Sequence, residues 1–94
     1  MQDQLSDKQK SILYRIAIRQ DEQGRQPSNI MMKQLLASSL YTDLFDLEYL
    51  TYEKMGEGEK AIAGLYVTLK GLRYCAENSQ ELSRLDKEAH VLDV

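Results

Sequence analysis

The chain has 94 residues, 43% apolar and 29% charged, with one Pro and five Gly. That is enough for one core and too little for two, which excludes a multidomain enzyme, and the composition excludes disordered, collagen-like and membrane-spanning chains. Twelve Lys and Arg against fifteen Asp and Glu leave a net charge of −3, so any contact with nucleic acid or an anionic membrane has to be local.

Ser6 followed three residues later by Gln9 is a capping box, and Ile12, Leu13, Ile16 and Ala17 then recur at helical spacing, predicting a first helix over residues 7–23. Tyr14 and Ile18 point away from that face and need a second partner. Arg25-Gln26-Pro27 is an extended break, because the residue before Pro is pushed out of the α region, and Ser28 stands where an N-cap belongs. A second helix is expected over 29–37, burying Ile30, Met31, Leu35 and Leu36, and ending in a tight turn at Ser38-Ser39 with Leu40 as its apolar plug. A third is expected over 41–55, stopped by Gly56. Its leucines and tyrosines form a broad apolar arc, and Thr42, Asp43, Asp46 and Glu53 remain for solvent. The tyrosines read as core edge rather than a base-stacking platform, since such platforms come with basic neighbours and these have acids.

Residues 56–60 form a polar loop, and 61–68 are the only β-like segment, giving one or two short strands meeting near Gly64. Thr68 caps a fourth helix over 69–77 that buries Leu72, Cys75 and Ala76. Ser79 starts a last helix in which Leu82, Leu85, Ala89 and Leu92 recur at steps of three, four and three. That seam is too short to be stable alone, and together with Tyr14 and Ile18 it is the expected homodimer surface.

Cys75 and His90 are the only cysteine and histidine. They allow no intrachain disulfide and no four-ligand Cys/His metal site, so neither metal nor cofactor is expected and a reducing, cytoplasmic setting fits. The first residues have no basic segment followed by an apolar run, so neither a leader nor a membrane partner is expected. No nucleophile with a base, no phosphate loop and no metal set can be assembled, so an enzyme is not expected.

Three helices, the second and third joined tightly, then a hairpin, then a helix, is the order of a winged helix-turn-helix domain. At 67–79, Val-Thr-Leu-Lys-Gly-Leu-Arg-Tyr-Cys-Ala-Glu-Asn-Ser, the chain resembles the wing-to-helix junction of the small bacterial and phage YjcQ-type winged-helix proteins. The resemblance implies a mainly α fold with a small β-hairpin wing and an extra C-terminal helix. Residues 1–94 then make one domain, with its core over about 6–79 and residues 80–92 left for packing or dimerisation. It also implies an association with regulators.

The charge pattern complicates DNA binding. Residues 41–59 hold six acids against Lys54, a net of −5, whereas 60–76 hold Lys60, Lys70 and Arg73 and no acid. Carboxylates on a recognition helix repel phosphates, so standard docking through the third helix is disfavoured. Two expectations follow. The first is a dimeric transcriptional regulator of bacterial or phage type that contacts DNA through Asn29, Lys33, Gln34, Thr42, Lys60, Lys70 and Arg73. The second is an interaction module without DNA binding that turns the acidic face of the third helix towards a basic protein.

Overall fold

The computed structural model describes residues 5–22, 24 and 27–92, the side chains of 89–92 excepted. It is mainly helical with one small antiparallel sheet: α1 (Asp7–Glu22), β1 (Ser28–Met31), α2 (Met32–Ala37), α3 (Ser39–Asp46), β2 (Leu50–Met55), a single 3-10 turn (Gly58–Lys60), β3 (Ile62–Val67), α4 (Leu69–Glu77) and α5 (Ser79–Leu92). The first helix starts as its capping box predicts. The Ser6 amide donates to Gln9 Oε1 at 2.8 Å, and the Gln9 amide donates to Ser6 Oγ at 3.1 Å. Gln23, Arg25 and Gln26, at and beyond the expected helix end, lie outside the described residues.

Two helical expectations are corrected. Residues 28–31 are a strand, so Asn29 and Ile30 leave the second helix, and Ser28 pairs with Leu65 instead of capping. The cap of α2 is Met31, which has no side-chain cap bond; the Met32 amide donates to the Ala61 carbonyl at 3.0 Å instead. Burial shifts accordingly: Leu35 is fully buried, but Met31 is 43% and Leu36 62% exposed.

The third helix stops at Asp46, nine residues before the expected Met55. Glu48 takes φ 64°, its amide donates to the Phe45 carbonyl, and the Tyr49 amide donates to the Leu44 carbonyl, both at 3.0 Å. This is a Schellman close with a glutamate where glycine is usual, so the local signal for a stop is missing from the sequence. Tyr49 to Met55, rich in Tyr and Thr, then suits a strand.

The sheet order is β1-β3-β2, antiparallel throughout, with β2 and β3 forming a hairpin. β3 is one continuous strand that does not break at Gly64. Its Ala63, Leu65 and Val67 face the core, while Ile62, Gly64 and Tyr66 take the other face with Asn29, Met31, Thr51, Glu53 and Met55.

Leu13, Ile16 and Ala17 of α1 pack with Leu35, Leu44, Leu50, Leu65, Val67 and Cys75 in one core. Thr68 caps α4 by accepting from the Gly71 amide at 3.0 Å, and its hydroxyl donates to the Glu48 carbonyl at 2.6 Å. Cys75 is buried as expected, Leu72 half-buried, and Ala76 exposed. The last helix lies along α1, joined by Lys10–Glu81 at 2.9 Å and Arg15–Asp86 at 2.8 Å.

Leu82 is fully buried and Leu85 is 7% exposed within the single chain. The reading of these two as a seam open to a twin is therefore corrected, because their apolar surface is already covered by their own domain. Tyr14 packs partly buried against the same core, and Ile18 is half-buried. The side chains of Ala89 and Leu92, the other half of the expected seam, lie outside the described residues. Among the described residues no helix is long and apolar enough to cross a membrane.

Candidate functional site

The acidic α3 helix and the open face of the sheet are the two candidate surfaces, on opposite sides of the hairpin, because α3 meets β2 through Tyr52, which shares the core face with Leu65. Ser38 accepts from the Leu40 amide at 3.3 Å to start α3, and Leu44 anchors the helix as its one fully buried side chain. The orientation of α3 against α1 is set by Gln9. The side chain that closes the capping box also donates from Nε2 to Asp43 Oδ2 at 2.8 Å and to the Ser39 carbonyl at 3.3 Å. Gln9 is 4% exposed, and both bonds are partly shielded, since Asp43 and Ser39 are themselves exposed. At the far end of α3, Phe45 stacks on Tyr52 of β2 with ring centroids 5.2 Å apart, tying the helix to the hairpin.

Electrostatically this region is anionic. Asp43, Asp46, Glu48, Glu53, Glu57 and Glu59 are all exposed, and α3 itself carries no Lys or Arg. Thr42, the one expected base-reading residue on this helix, is half-buried and flanked by Asp43 and Asp46.

The sheet adds an apolar element. Met31, Ile62 and Met55 align across the three strands at one register position on the open face, exposed by 43, 38 and 39%. Glu53 lies two residues from Met55 on the same face. Gly64 sits in the middle of that face, where a Cβ would come 3.0 Å from Pro27 Cβ and 3.2 Å from Met55 Cε.

The expected basic contacts do not come together. Lys33 and Gln34 are exposed on α2, which touches the 3-10 turn bearing Lys60, so these three share one end of the sheet. Lys70 and Arg73 are on α4, at the other end of the six-residue strand β3, roughly 20 Å away along the chain direction. Lys60 and the pair Lys70 and Arg73 thus flank β3 at its two ends. Lys70 Nζ lies over the Tyr49 ring, 5.3 Å from its centroid, and Tyr49 stacks on Tyr74 at 4.9 Å. Asn29 is exposed on β1, not on a helix.

Sequence reasoning missed three residues that place these elements: Gln9 through its bonds to α3, Glu48 through its left-handed backbone, and Gln20, whose buried amide holds the end of β3. The capping-box spacing marks Gln9, but nothing local marks its second role or that of the other two. Cys75 packs in the core at 7% exposure, and that burial raises its thiol to about 11.

No protein-family model, curated protein or solved structure matches this chain.

Proposed function

We propose that the chain is a winged-helix domain that works as a protein-interaction module, turning the open face of its sheet, with the apolar trio Met31, Ile62 and Met55 and the acidic Glu53, towards a basic, partly apolar protein partner. The winged-helix reading is supported by the element order, by the one-residue connection between α2 and α3, and by a hairpin that β1 widens into a three-stranded sheet. The observation that carries the interaction reading is the in-register exposure of Met31, Ile62 and Met55 beside Glu53. An apolar patch with acidic neighbours suits a protein surface and repels a phosphate backbone.

A second reading, a regulator that binds DNA, is favoured by one observation: α2 and the hairpin turn bring Lys33, Gln34 and Lys60 to the same end of the sheet. Its contacts are made by α2 and the wing tip, with α3 held away from the groove.

Fluorescence anisotropy separates the two, using a labelled random DNA duplex and a labelled amphipathic Lys/Arg-rich peptide, each titrated at low salt, where electrostatic attraction is largest. The interaction reading expects peptide binding that is lost in the double variant Glu53→Lys, Ile62→Ser, with no duplex binding. Duplex binding that disappears on Lys33→Ala with Lys60→Ala establishes the second reading and overturns the first.

A further inference from the structure

A groove runs between α1 and the edge strand β1, with a volume of about 270 Å³. Ile16 and Leu65, both nearly fully buried, form its floor, the half-buried Ile12, Ile30 and Tyr41 form its walls, and Ser28 and Asn29 of β1 line its edge. Its size lies just under the range usual for small-molecule pockets, roughly 300–1,000 Å³. In a chain of net charge −3, the charged residues lining this groove are two arginines and no carboxylate.

Arg15 and Arg19 stand one helical turn apart on α1, on the same side of the helix and at the mouth of the groove. Asp86 of α5 holds Arg15 Nε at 2.8 Å and so fixes where that guanidinium sits. Arg19 is exposed and has no ion-pair partner among the described residues. A guanidinium is a planar fork that matches a carboxylate with two parallel hydrogen bonds. An apolar trough ending in such a fork is complementary to a molecule with an apolar body and one carboxylate.

From the juxtaposition of the Ile12–Ile16–Ile30–Leu65–Tyr41 trough with Arg19 at its mouth, we infer that this groove binds a small apolar carboxylic acid of about indole size, the ring lying on Ile16 and Leu65 and the carboxylate on Arg19. Four elements meet around that ligand, since Tyr41 belongs to α3, Leu65 to β3, Ile30 to β1 and the rest to α1. Occupancy is therefore reported to α3 and, through β1 and β3, to the sheet whose open face is the proposed partner surface. The inference does not rest on that surface and stands whether protein or DNA is the partner.

The test is a ¹H–¹⁵N NMR titration of the full chain with three probes: indole-3-acetate, its uncharged counterpart indole-3-ethanol, and acetate. The expected result is saturable shifts at Ile12, Arg19, Ile30 and Leu65 with indole-3-acetate, and binding weaker by about tenfold or more for each control. Arg19→Gln weakens indole-3-acetate by about tenfold, and Arg19→Lys recovers part of the loss. The free spectra of both variants report that the fold is intact. The inference is overturned by unsaturated or absent shifts, by equal binding of indole-3-ethanol, by equal binding of acetate, or by insensitivity to Arg19→Gln. Shifts at these residues that depend on protein concentration without any probe overturn it in favour of a second copy. Shifts produced only by an extended acidic peptide overturn it in favour of strand addition to β1.

Discussion

The side-chain amide of Gln20 does for Val67 what a neighbouring strand would do. Its Oε1 accepts from the Val67 amide at 2.8 Å, and its Nε2 donates to the Val67 carbonyl at 3.3 Å. β1 begins at Ser28 opposite Leu65, so Val67, two residues further along β3, has passed the end of its neighbour. Gln20 is 9% exposed and Val67 4%, which leaves no room for water to replace the missing strand. The length of α1 and the end of the sheet are locked together by that single amide.

Gln20→Ala removes both bonds and strands a buried N–H and C=O. The expected loss is about 1–3 kcal/mol per unpaired group, read by urea unfolding. Gln20→Glu keeps the shape but buries a charge and cannot donate to the Val67 carbonyl. Burial raises that carboxyl, so the variant regains stability as pH falls and the group protonates. A Glu variant equally stable at neutral and acid pH contradicts the arrangement.

Glu48→Gly is expected to stabilise. A non-glycine residue at φ 64° costs about 1–2 kcal/mol, and glycine returns roughly 0.5–1 kcal/mol of that to unfolded-chain entropy. The net gain is about 0.5–1 kcal/mol, seen as a higher midpoint in denaturant with an unchanged slope. Destabilisation means that the Glu48 side chain, not its backbone, matters.

Gly71→Ala tests a helix position with inverted preference. In an ordinary helix the change gains about 1 kcal/mol. At Gly71 the new methyl meets the Tyr49 carbonyl oxygen and comes 2.7 Å from Val67 Cγ1, so a loss of about 1–3 kcal/mol is expected. Calorimetry of the single variant decides the sign.

Cys75 is expected to resist alkylation. With its thiol raised to about 11 by burial, on the order of one molecule in a thousand is thiolate at pH 8. Labelling by iodoacetamide is slow in the native chain and rises to the rate of an ordinary thiol in denaturant. Equal rates in both conditions place Cys75 at the surface.

The Lys10–Glu81 pair carries a defined pH signature. Its hydrogen bond lowers Glu81 below 4.5 and raises Lys10 above 10.5. A lowered carboxyl contributes stability above its unfolded value that is lost as pH falls through the folded one. A raised amine contributes below its unfolded value and loses that contribution as pH rises through the folded one. The small difference in melting temperature between the wild-type chain and Glu81→Gln is therefore present at neutral pH and closes in acid. A difference that persists below the lowered Glu81 value assigns it to packing.

Where a local hydrogen bond marks an element, the chain announces it. Ser6 with Gln9 starts α1, Ser38 starts α3 and Thr68 starts α4, each by a side chain reaching its own backbone within three residues. β1 carries no such mark, because its pairing partner Ile62–Leu65 lies more than thirty residues away. The stop of α3 is hidden because Glu48 is not glycine. The spacing of the basic residues was hidden for the same kind of reason: Lys60 and Lys70 are near in sequence, but a fully extended strand separates them.

Composition and spacing by themselves determined a single small helical domain with an acidic middle segment, since charge and helix starts are properties of neighbouring residues. The three-stranded sheet, the burial of Leu82 and Leu85 in their own chain, and the arginine-mouthed groove were decided only in three dimensions. Each needs groups from elements far apart in the chain, whose attraction appears once the core has brought them together.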